Sequence, residues 1–244
     1  RPAAGLLVAV DFDGTLAPLA RRPGLARLPS EARRALARLA ARPGVTVAVV
    51  SGRALSTLRP KVGLPQLVYS GNHGLEIVAP GWHWRHPGLG PFRAPLRRAA
   101  REARALTAAV PGAWVEDKGW SLSVHYREVR SEALERTLGE GLRFLVRGEP
   151  ALRLTRGKKV YESRTRIPWD KGSSVLIARL QLAPGAAMAF IGDDENDEEA
   201  FRTLGDRAWT VKVGNGPSSA RWRARGPGDV VKLLAALAEV TAPA

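Results

Sequence analysis

Residues 6–15 read LLVAVDFDGT, an apolar run followed directly by two carboxylates that are one residue apart. Five strand-forming residues in a row predict a buried β-strand, and Asp11 and Asp13 then lie in the turn at its end. In aspartyl-phosphate chemistry the first carboxylate attacks phosphorus, and the second carries a proton to or from the bridging oxygen. The alternative is a surface turn in which Gly14 supplies a positive φ angle.

Further apolar runs end in polar clusters in the same way. The runs cover residues 46–50, 67–69 and 187–191, and the clusters that follow them are Ser51-Gly52-Arg53, Ser70 to Gly74 and Gly192-Asp193-Asp194. Such runs are typical of strands buried on both faces of a parallel sheet, and helical patterns lie between them, one of them over residues 31–41 with Ser30 as N-cap. The alternation predicts a doubly wound, Rossmann-like α/β hydrolase core. Because ligands bind beyond the carboxyl ends of the strands in such sheets, the polar clusters are expected to meet at one edge.

The middle of the chain departs from this pattern. Helices are predicted over Arg93 to Val110 and Ser131 to Val146, and strand pairs over Trp114 to Tyr126, with a turn at Lys118-Gly119, and Ala151 to Glu162, with a turn at Arg156-Gly157. We therefore predict a small α+β cap domain at residues 90–165, inserted into a core made of residues 1–89 and 166–244. The core resumes with a helix over Ser173 to Leu182, opened by Lys171.

Composition excludes several classes of protein. Hydrophobic residues make up 45% of the 244 residues, which is enough for a large core and argues against wholesale disorder. The absence of cysteine excludes disulfides and thiolate metal sites and suits a cytoplasmic location. No apolar run approaches the roughly 18 residues of a membrane span and no signal peptide is recognised, so we expect no membrane partner.

The net charge of +15 raises the alternative of a nucleic-acid-binding module. Most of this charge is arginine, in a chain that is also rich in Ala, Gly and Pro, and all four residue types have GC-rich codons. The densest group is Arg97, Arg98, Arg101 and Arg104, whose helical spacing indicates a solvated helix face. We therefore expect no nucleic-acid partner, although such a surface attracts small anionic substrates.

Carboxylates follow two strands that are expected to be neighbours. Asp11 and Asp13 would repel a phosphate unless a cation intervened, and Asp193, with Asp194 and Asp197 behind it, adds hard oxygen ligands. A few carboxylates on adjacent strand ends suit Mg²⁺, which keeps several waters and takes a phosphate oxygen. The alternative for residues 192–199 is an acidic helix start, because acidic side chains favour the positive end of the helix dipole.

The other polar clusters supply groups that bind phosphate oxygens. Ser51 offers a hydroxyl, the turn at Gly52 frees backbone N–H groups, and Lys171 can pair with both Asp11 and a transferring phosphoryl group. Ser-Gly-Arg taken alone is a common turn. The carboxylates, the Ser-Gly-Arg turn and Lys171, taken together in their order along the chain, predict a phosphoryl-transfer site.

The four motifs of the haloacid dehalogenase-like phosphatases resemble four segments of this chain, Asp11 to Thr15, Ser51-Gly52-Arg53, Lys171-Gly172 and Gly192-Asp193-Asp194. The resemblance implies that Asp11 is the nucleophile, that Asp13 is the general acid and base, and that Ser51 and Lys171 stabilise the phosphate. It further implies that Mg²⁺ is held by Asp11, the main-chain carbonyl of Asp13 and Asp193, while Asp194 and Asp197 fix the waters of the metal.

The predicted cap is similar to that of the trehalose-6-phosphate phosphatases. The similarity lies in Glu116-x-Lys118-Gly119, His125-Tyr126-Arg127 and Gly157 to Glu162, together with Gly71 to Glu76 of the core. It implies that the glucose rings are bound by Glu116, Lys118, Lys158 and Glu162. It also implies that the cleft includes Gly52, Arg53, Asn72, His73, His125 and Arg127. On the residues alone, a solvated sheet face with cross-strand ion pairs is the alternative.

Two positions depart from the pattern of that family. Asn196 stands where threonine is usual, which leaves other sugar phosphates open as substrates, and Thr165 stands where the hinge usually has proline.

We predict a monomeric, Mg²⁺-dependent phosphatase that hydrolyses trehalose 6-phosphate through an aspartyl-phosphate intermediate. The alternatives are the same chemistry on sucrose phosphate or a glycosyl-phosphoglycerate, and a phosphatase-like regulatory domain cut from a larger synthase fusion.

Overall fold

Apolar runs and amphipathic segments alternate along the chain, and the computed structural model, which describes residues 5–157 and 159–241, folds them into strands and helices. The strands are β1 (Leu6–Asp11), β2 (Val45–Val50), β3 (Val68–Gly71), β4 (Glu76–Ala79), β5 (Trp82–Arg85), β6 (Trp114–Asp117), β7 (Ser121–His125), β8 (Leu152–Gly157), β9 (Val160–Thr165), β10 (Ala187–Gly192), β11 (Ala208–Val213) and β12 (Trp222–Ala224). The helices are α1 (Ser30–Ala40), α2 (Leu55–Val62), α3 (Arg93–Ala108), α4 (Glu132–Arg147), α5 (Lys171–Leu182), α6 (Glu195–Leu204) and α7 (Pro227–Val240).

These elements form two units. The first contains the residues up to Arg85 and from Trp169 onward, and the second is His86–Pro168. The second unit is therefore an insertion in the sequence of the first. Its limits lie a few residues outside the predicted cap of residues 90–165.

The first unit has one sheet with the strand order β12-β11-β10-β1-β2-β3-β4-β5. Its strands pair in parallel from β12 to β3, and β4 and β5 are antiparallel. Val8 and Val10 of β1 pack with α1 and α7 on one face, whereas Leu7 and Ala9 pack with α5 and α6 on the other. Because alternate side chains of a central strand enter two cores, the predicted doubly wound α/β fold is confirmed.

The hairpin of β4 and β5 was not predicted. In β4 only alternate residues, Ile77 and Ala79, are buried, and β5 is half exposed along its length. Neither strand therefore has the continuous apolar run that marks the strands in the middle of the sheet.

Three local predictions are corrected by the structure. The N-cap of α1 is Pro29, so Ser30 is the first helical residue. The helix α5 begins at Lys171 because the carboxylate of Asp170 caps it, accepting the N–H of Ser173 at 2.9 Å. Arg156 and Gly157, where a turn was predicted, are the last two residues of strand β8. Within residues 5–157 and 159–241, no helix combines the length and the apolar character that crossing a bilayer requires.

The second unit is a four-stranded antiparallel sheet in the order β6-β7-β9-β8, with α3 and α4 packed on it. Tyr161 faces α4, since its hydroxyl lies where a side chain at Gly139 would be. Glu162, the next residue of β9, points to the opposite face, as successive residues of a strand do. That face carries the polar residues described below.

Candidate functional site

The carboxyl ends of β10, β1 and β2 lie side by side, because β1 pairs in parallel with both neighbours. Asp11 is in register with Val50, the residue before Ser51, and β10 ends at Gly192, the residue before Asp193. The chain proceeds outward from β1 to β3 on one side and from β10 to β12 on the other. Open α/β sheets bind their ligands at such a reversal of strand order.

Lys171 forms the centre of a buried ion cluster. Its Nζ donates hydrogen bonds to Oδ1 of Asp11 and to Oδ1 of Asp197, both at 2.7 Å. Burial acts to lower the pKa of Lys171, but the charges of Asp11, Asp194 and Asp197 raise it well above its usual value. Burial also raises the pKa of the Asp11 carboxyl well above its usual value, against the opposing charge of Lys171. The ammonium group therefore fixes the carboxyl that the sequence nominates as nucleophile.

Asp194 and Asp197 organise the start of α6. Asp194 caps the helix by accepting the N–H of Asp197 at 3.0 Å. Oδ2 of Asp197 accepts the N–H groups of Asp193 and Asp194 at 2.9 and 3.0 Å. Residues 192–199 therefore do contain an acidic helix start. The same contacts also fix the loop that carries Asp193 beside the end of β1.

Asp193 is held by the turn that follows β1. Thr15 Oγ1 donates to Oδ1 of Asp193 at 3.1 Å. Gly14 has a φ of +84°, and a Cβ at this position would lie 2.2 Å from Oδ2 of Asp193, so the turn requires glycine. Burial, followed by the charges of Asp194 and Asp197, raises the pKa of Asp193 to about 7.

The carboxylates form a candidate cation site. Asp11, Asp193 and Asp197 each offer an oxygen, and these atoms lie within 4.8 Å of one another. Both oxygens of Asp197 already accept hydrogen bonds, so Asp11 and Asp193 are the better ligands. An all-oxygen donor set of this kind fits Mg²⁺. The side chain of Asp13 pairs with Arg53, so its contribution would be the main-chain carbonyl.

The pairing of Arg53 with Asp13 was not predicted. Nε and Nη2 of Arg53 donate to Oδ2 and Oδ1 of Asp13, both at 2.6 Å, and the guanidinium group lies over the ring of Phe12. The side chain of Arg53 is 7% exposed. A bidentate pair fixes the orientation of a carboxylate, so Arg53, which the resemblance assigned to substrate, orients the nominated general acid in this structure.

Asn72 and His73 brace the loop that carries Ser51. The backbone N–H of Asn72 donates to the carbonyl of Arg53 at 2.7 Å, and that of His73 donates to the carbonyl of Ser51 at 3.0 Å. Both bracing residues have left-handed φ angles, +50° and +58°, which residues other than glycine rarely adopt. The imidazole of His73 packs against Gly52. These predicted substrate residues therefore lie beside Ser51 and support its loop.

Replacing Gly52 with alanine is expected to lower the free energy of unfolding by about 1–3 kcal/mol, because overpacking displaces neighbouring groups. The new Cβ would lie 2.4 Å from Cε1 of His73. Urea denaturation measures the loss, and Gly24→Ala is the control, since nothing lies within 4 Å of a Cβ built at Gly24. The double variant with His73→Ala should lose less than the sum of the two single variants. Strictly additive losses would contradict the steric explanation.

One face of the sheet in the second unit carries paired charges. Glu116, Ser123 and Glu162 are in register on β6, β7 and β9. Oε1 of Glu162 accepts hydrogen bonds from Nζ of Lys118 at 2.9 Å and from Oγ of Ser123 at 3.1 Å. Nε2 of His125 lies 2.9 Å from Oε2 of Glu116. The structure thus brings four of the predicted cap residues to one face, where Lys118 forms an ion pair with Glu162 and His125 is hydrogen-bonded to Glu116.

The two remaining cap residues of the prediction are Arg127 and Lys158. Arg127 is exposed in the loop after β7. Lys158 lies outside the residues that the structure describes.

Lys212 is a buried residue of the site that was not predicted. Its Nζ donates to the main-chain carbonyl of Asp193 at 2.6 Å and lies 3.4 Å from Oε1 of Glu198. Lys212 is in register with Gly192 across β10 and β11. A lysine among the mainly apolar residues of β11 was the available signal, because a buried charge requires a partner.

The sequence matches a family model described as Trehalose-phosphatase over residues 9–227. The trehalose-phosphate phosphatase of Mycobacterium tuberculosis is 36% identical over 210 residues, which are 83% of this chain and 52% of that protein. The probable trehalose-phosphate phosphatase 4 of Oryza sativa subsp. japonica is 35% identical over 245 residues, which are 96% of this chain and 66% of that protein. The chain thus spans about half of the mycobacterial relative.

Solved structures share the fold. The C-terminal domain of the trehalose-6-phosphate phosphatase of C. albicans has a TM-score of 0.80 at 23% identity. The match covers 97% of this chain and 92% of that chain. The likeness therefore extends over both units of the sequence.

Proposed function

The chain belongs to the trehalose-phosphatase family, and from this we propose that it is a Mg²⁺-dependent phosphatase that converts trehalose 6-phosphate to trehalose and inorganic phosphate. The observation that carries the proposal is the buried pair of Asp11 and Lys171 at the reversal of strand order, with Asp193 beside it. A buried carboxylate next to a fixed ammonium group suits a covalent acceptor of a phosphoryl group.

In the proposed mechanism, Asp11 and Asp13 divide the chemistry. A carboxylate oxygen of Asp11 attacks phosphorus, the bond from phosphorus to the sugar oxygen breaks, and Asp13 gives a proton to that oxygen. Trehalose leaves, and Asp11 carries the phosphoryl group as an acyl phosphate. Asp13 then takes a proton from a water molecule, which attacks phosphorus and releases phosphate. Arg53 holds both oxygens of Asp13 between turnovers, and one of these oxygens leaves the guanidinium group when Asp13 carries the proton.

Ser51, Gly52 and Lys171 act on the phosphoryl group in this proposal. Oγ of Ser51 accepts the N–H of Arg53 at 3.2 Å, so its own hydrogen is directed elsewhere and suits a phosphate oxygen. The backbone at Gly52 supplies further N–H donors. The ammonium group of Lys171 offsets negative charge as the new bond forms.

We assign Asp11, Asp193 and the main-chain carbonyl of Asp13 as the residues that would hold the metal. Asp194 and Asp197 would fix the loop that carries Asp193 and would orient the waters of the metal. When bound, Mg²⁺ neutralises phosphate charge and so permits attack by an anion. The oxygen-only donor set supports this assignment. Burial and the charges of the neighbouring carboxylates also raise the pKa of Asp193 to about 7. This shift reflects crowded negative charge, which a bound cation would compensate.

We assign residues 90–165 as the cap that recognises the sugar. The carboxylates of Glu116 and Glu162 are each hydrogen-bonded to a basic side chain. Such pairs suit a polyhydroxylated ligand, since sugar hydroxyls donate to carboxylates and accept from ammonium groups. Arg127 and Lys158 are the remaining sugar-binding residues in this proposal. The rest of the chain carries the phosphoryl chemistry.

Phosphate release from a panel of sugar phosphates, with Mg²⁺ and with EDTA, tests the proposed function. We expect rapid release from trehalose 6-phosphate that EDTA abolishes. Because Asn196 stands where threonine is usual, the panel includes sucrose phosphate and a glycosyl-phosphoglycerate. Release from one of these alone would keep the roles of Asp11 and its partners and overturn the cap assignment. No release from any ester would overturn the proposal in favour of a regulatory role.

Replacing Glu162 with glutamine is expected to raise KM for trehalose 6-phosphate about tenfold, with p-nitrophenyl phosphate hydrolysis within about twofold of wild type. The neutral amide is a weaker acceptor, and Lys118 loses its counter-charge. Steady-state kinetics on both substrates measure the effect. Glu132→Gln is the matched control, because the side chain of Glu132 is 92% exposed. An equal loss on both substrates would indicate that Glu162 is structural.

A further inference from the structure

The imidazole of His125 contacts two side chains of β6. It stacks on the indole of Trp114, with ring centroids 4.1 Å apart and planes inclined by 18°. Its Nε2 lies 2.9 Å from Oε2 of Glu116. Trp114 and His125 are in register across β6 and β7, and Glu116 lies two residues further on, on the same face. A ring held by stacking therefore directs one nitrogen at one carboxylate.

The direction of this hydrogen bond follows from its acceptor. An ionised carboxylate only accepts, so Nε2 of His125 carries the hydrogen and donates it to Glu116. The side chains of His125 and Glu116 are 15% and 19% exposed. Partial shielding from water strengthens such a bond relative to one on an exposed surface. The bond therefore limits the rotation of the carboxylate of Glu116.

We propose that His125 is a positioning residue that orients the carboxylate of Glu116 toward the sugar, and that Trp114 holds the imidazole in place. This inference rests on the proposed function and replaces direct substrate binding as the role of His125. The second carboxylate, Glu162, is oriented separately by Lys118. Two carboxylates held by different partners on one face select a sugar by the positions of its hydroxyls, because a misplaced hydroxyl does not reach its carboxylate.

The test is steady-state kinetics of His125→Met and His125→Gln on trehalose 6-phosphate and on p-nitrophenyl phosphate. Methionine keeps apolar bulk but has no N–H donor, whereas glutamine places an amide N–H near the position of Nε2. His125→Met should raise KM for trehalose 6-phosphate about tenfold, with kcat and the aryl ester within about twofold. His125→Gln should recover most of this loss, and Trp114→Leu should give an intermediate rise.

The control is His83→Gln on β5, an exposed histidine outside the site, which should change neither substrate. An unchanged KM for trehalose 6-phosphate in His125→Met overturns the inference. An equal loss on both substrates also overturns it, because such a loss marks a structural role. A wild-type protein that releases no phosphate from trehalose 6-phosphate overturns the proposed function, and the inference with it.

Discussion

Replacing Asp11 with asparagine is expected to lower kcat by a factor on the order of 10⁴ or more, with the fold retained. The amide has nearly the volume of the carboxylate, so the packing at the end of β1 is kept. Its oxygen, however, is a poor nucleophile toward phosphorus. The change also removes a charge that burial and the neighbouring Asp193 and Asp194 disfavour, as the raised pKa of Asp11 indicates. We therefore expect Tm to change by less than about 5 °C.

Two measurements separate loss of the nucleophile from loss of the fold. Acid-quenched enzyme exposed to labelled substrate should retain phosphate in the wild type and none in Asp11→Asn, while thermal unfolding reports the fold. Asp206→Asn is the matched control, since the side chain of Asp206 is 91% exposed and pairs only at the surface with Arg221. Turnover by Asp11→Asn within tenfold of wild type would overturn the assignment of Asp11 as nucleophile.

Replacing Lys171 with methionine is expected to lower the free energy of unfolding by about 3–5 kcal/mol and to abolish turnover. Lys171 is the ammonium group that neutralises Asp11 and Asp197, to both of which it donates at 2.7 Å. Methionine has a similar length and packs in the same space, but it leaves two buried carboxylates facing each other without a cation. The energetic cost is therefore chiefly electrostatic.

Urea denaturation in EDTA measures this effect without compensation by a bound metal. Lys232→Met is the control, because the side chain of Lys232 is 83% exposed. Adding Asp197→Asn to Lys171→Met should restore part of the stability, since one of the unpaired charges is removed. Turnover should stay lost, because the phosphoryl group still lacks its cation. A single variant as stable as wild type would show that the ion cluster does not stabilise the fold.

The central strands were predictable because they are buried on both faces. A continuous apolar run such as that of β1 has few alternatives, and a polar cluster at its end then lies at a known edge of the sheet. The strands β4 and β5 were missed because an outer hairpin needs only alternate apolar residues. Pro29 at the N-cap of α1 was missed because Ser30 is a stronger local signal for that position.

The residues brought to the strand ends were also predictable, whereas several of their contacts were not. Arg53 was assigned to substrate, yet its guanidinium group pairs with Asp13, 40 positions away. Lys212 was not predicted, although its ammonium group donates a hydrogen bond to the main-chain carbonyl of Asp193.

By itself, the sequence determined the buried strands β1, β2, β3 and β10 and the carboxylates that follow two of them, because hydrophobic periodicity and turn chemistry act over a few neighbouring residues. Only the tertiary structure decided the partners of those side chains. Whether Arg53 meets Asp13, and whether His125 meets Glu116, depends on strand register and on rotamers chosen among distant neighbours. These choices lower the free energy of the whole packed unit, and no local stretch of sequence contains that information.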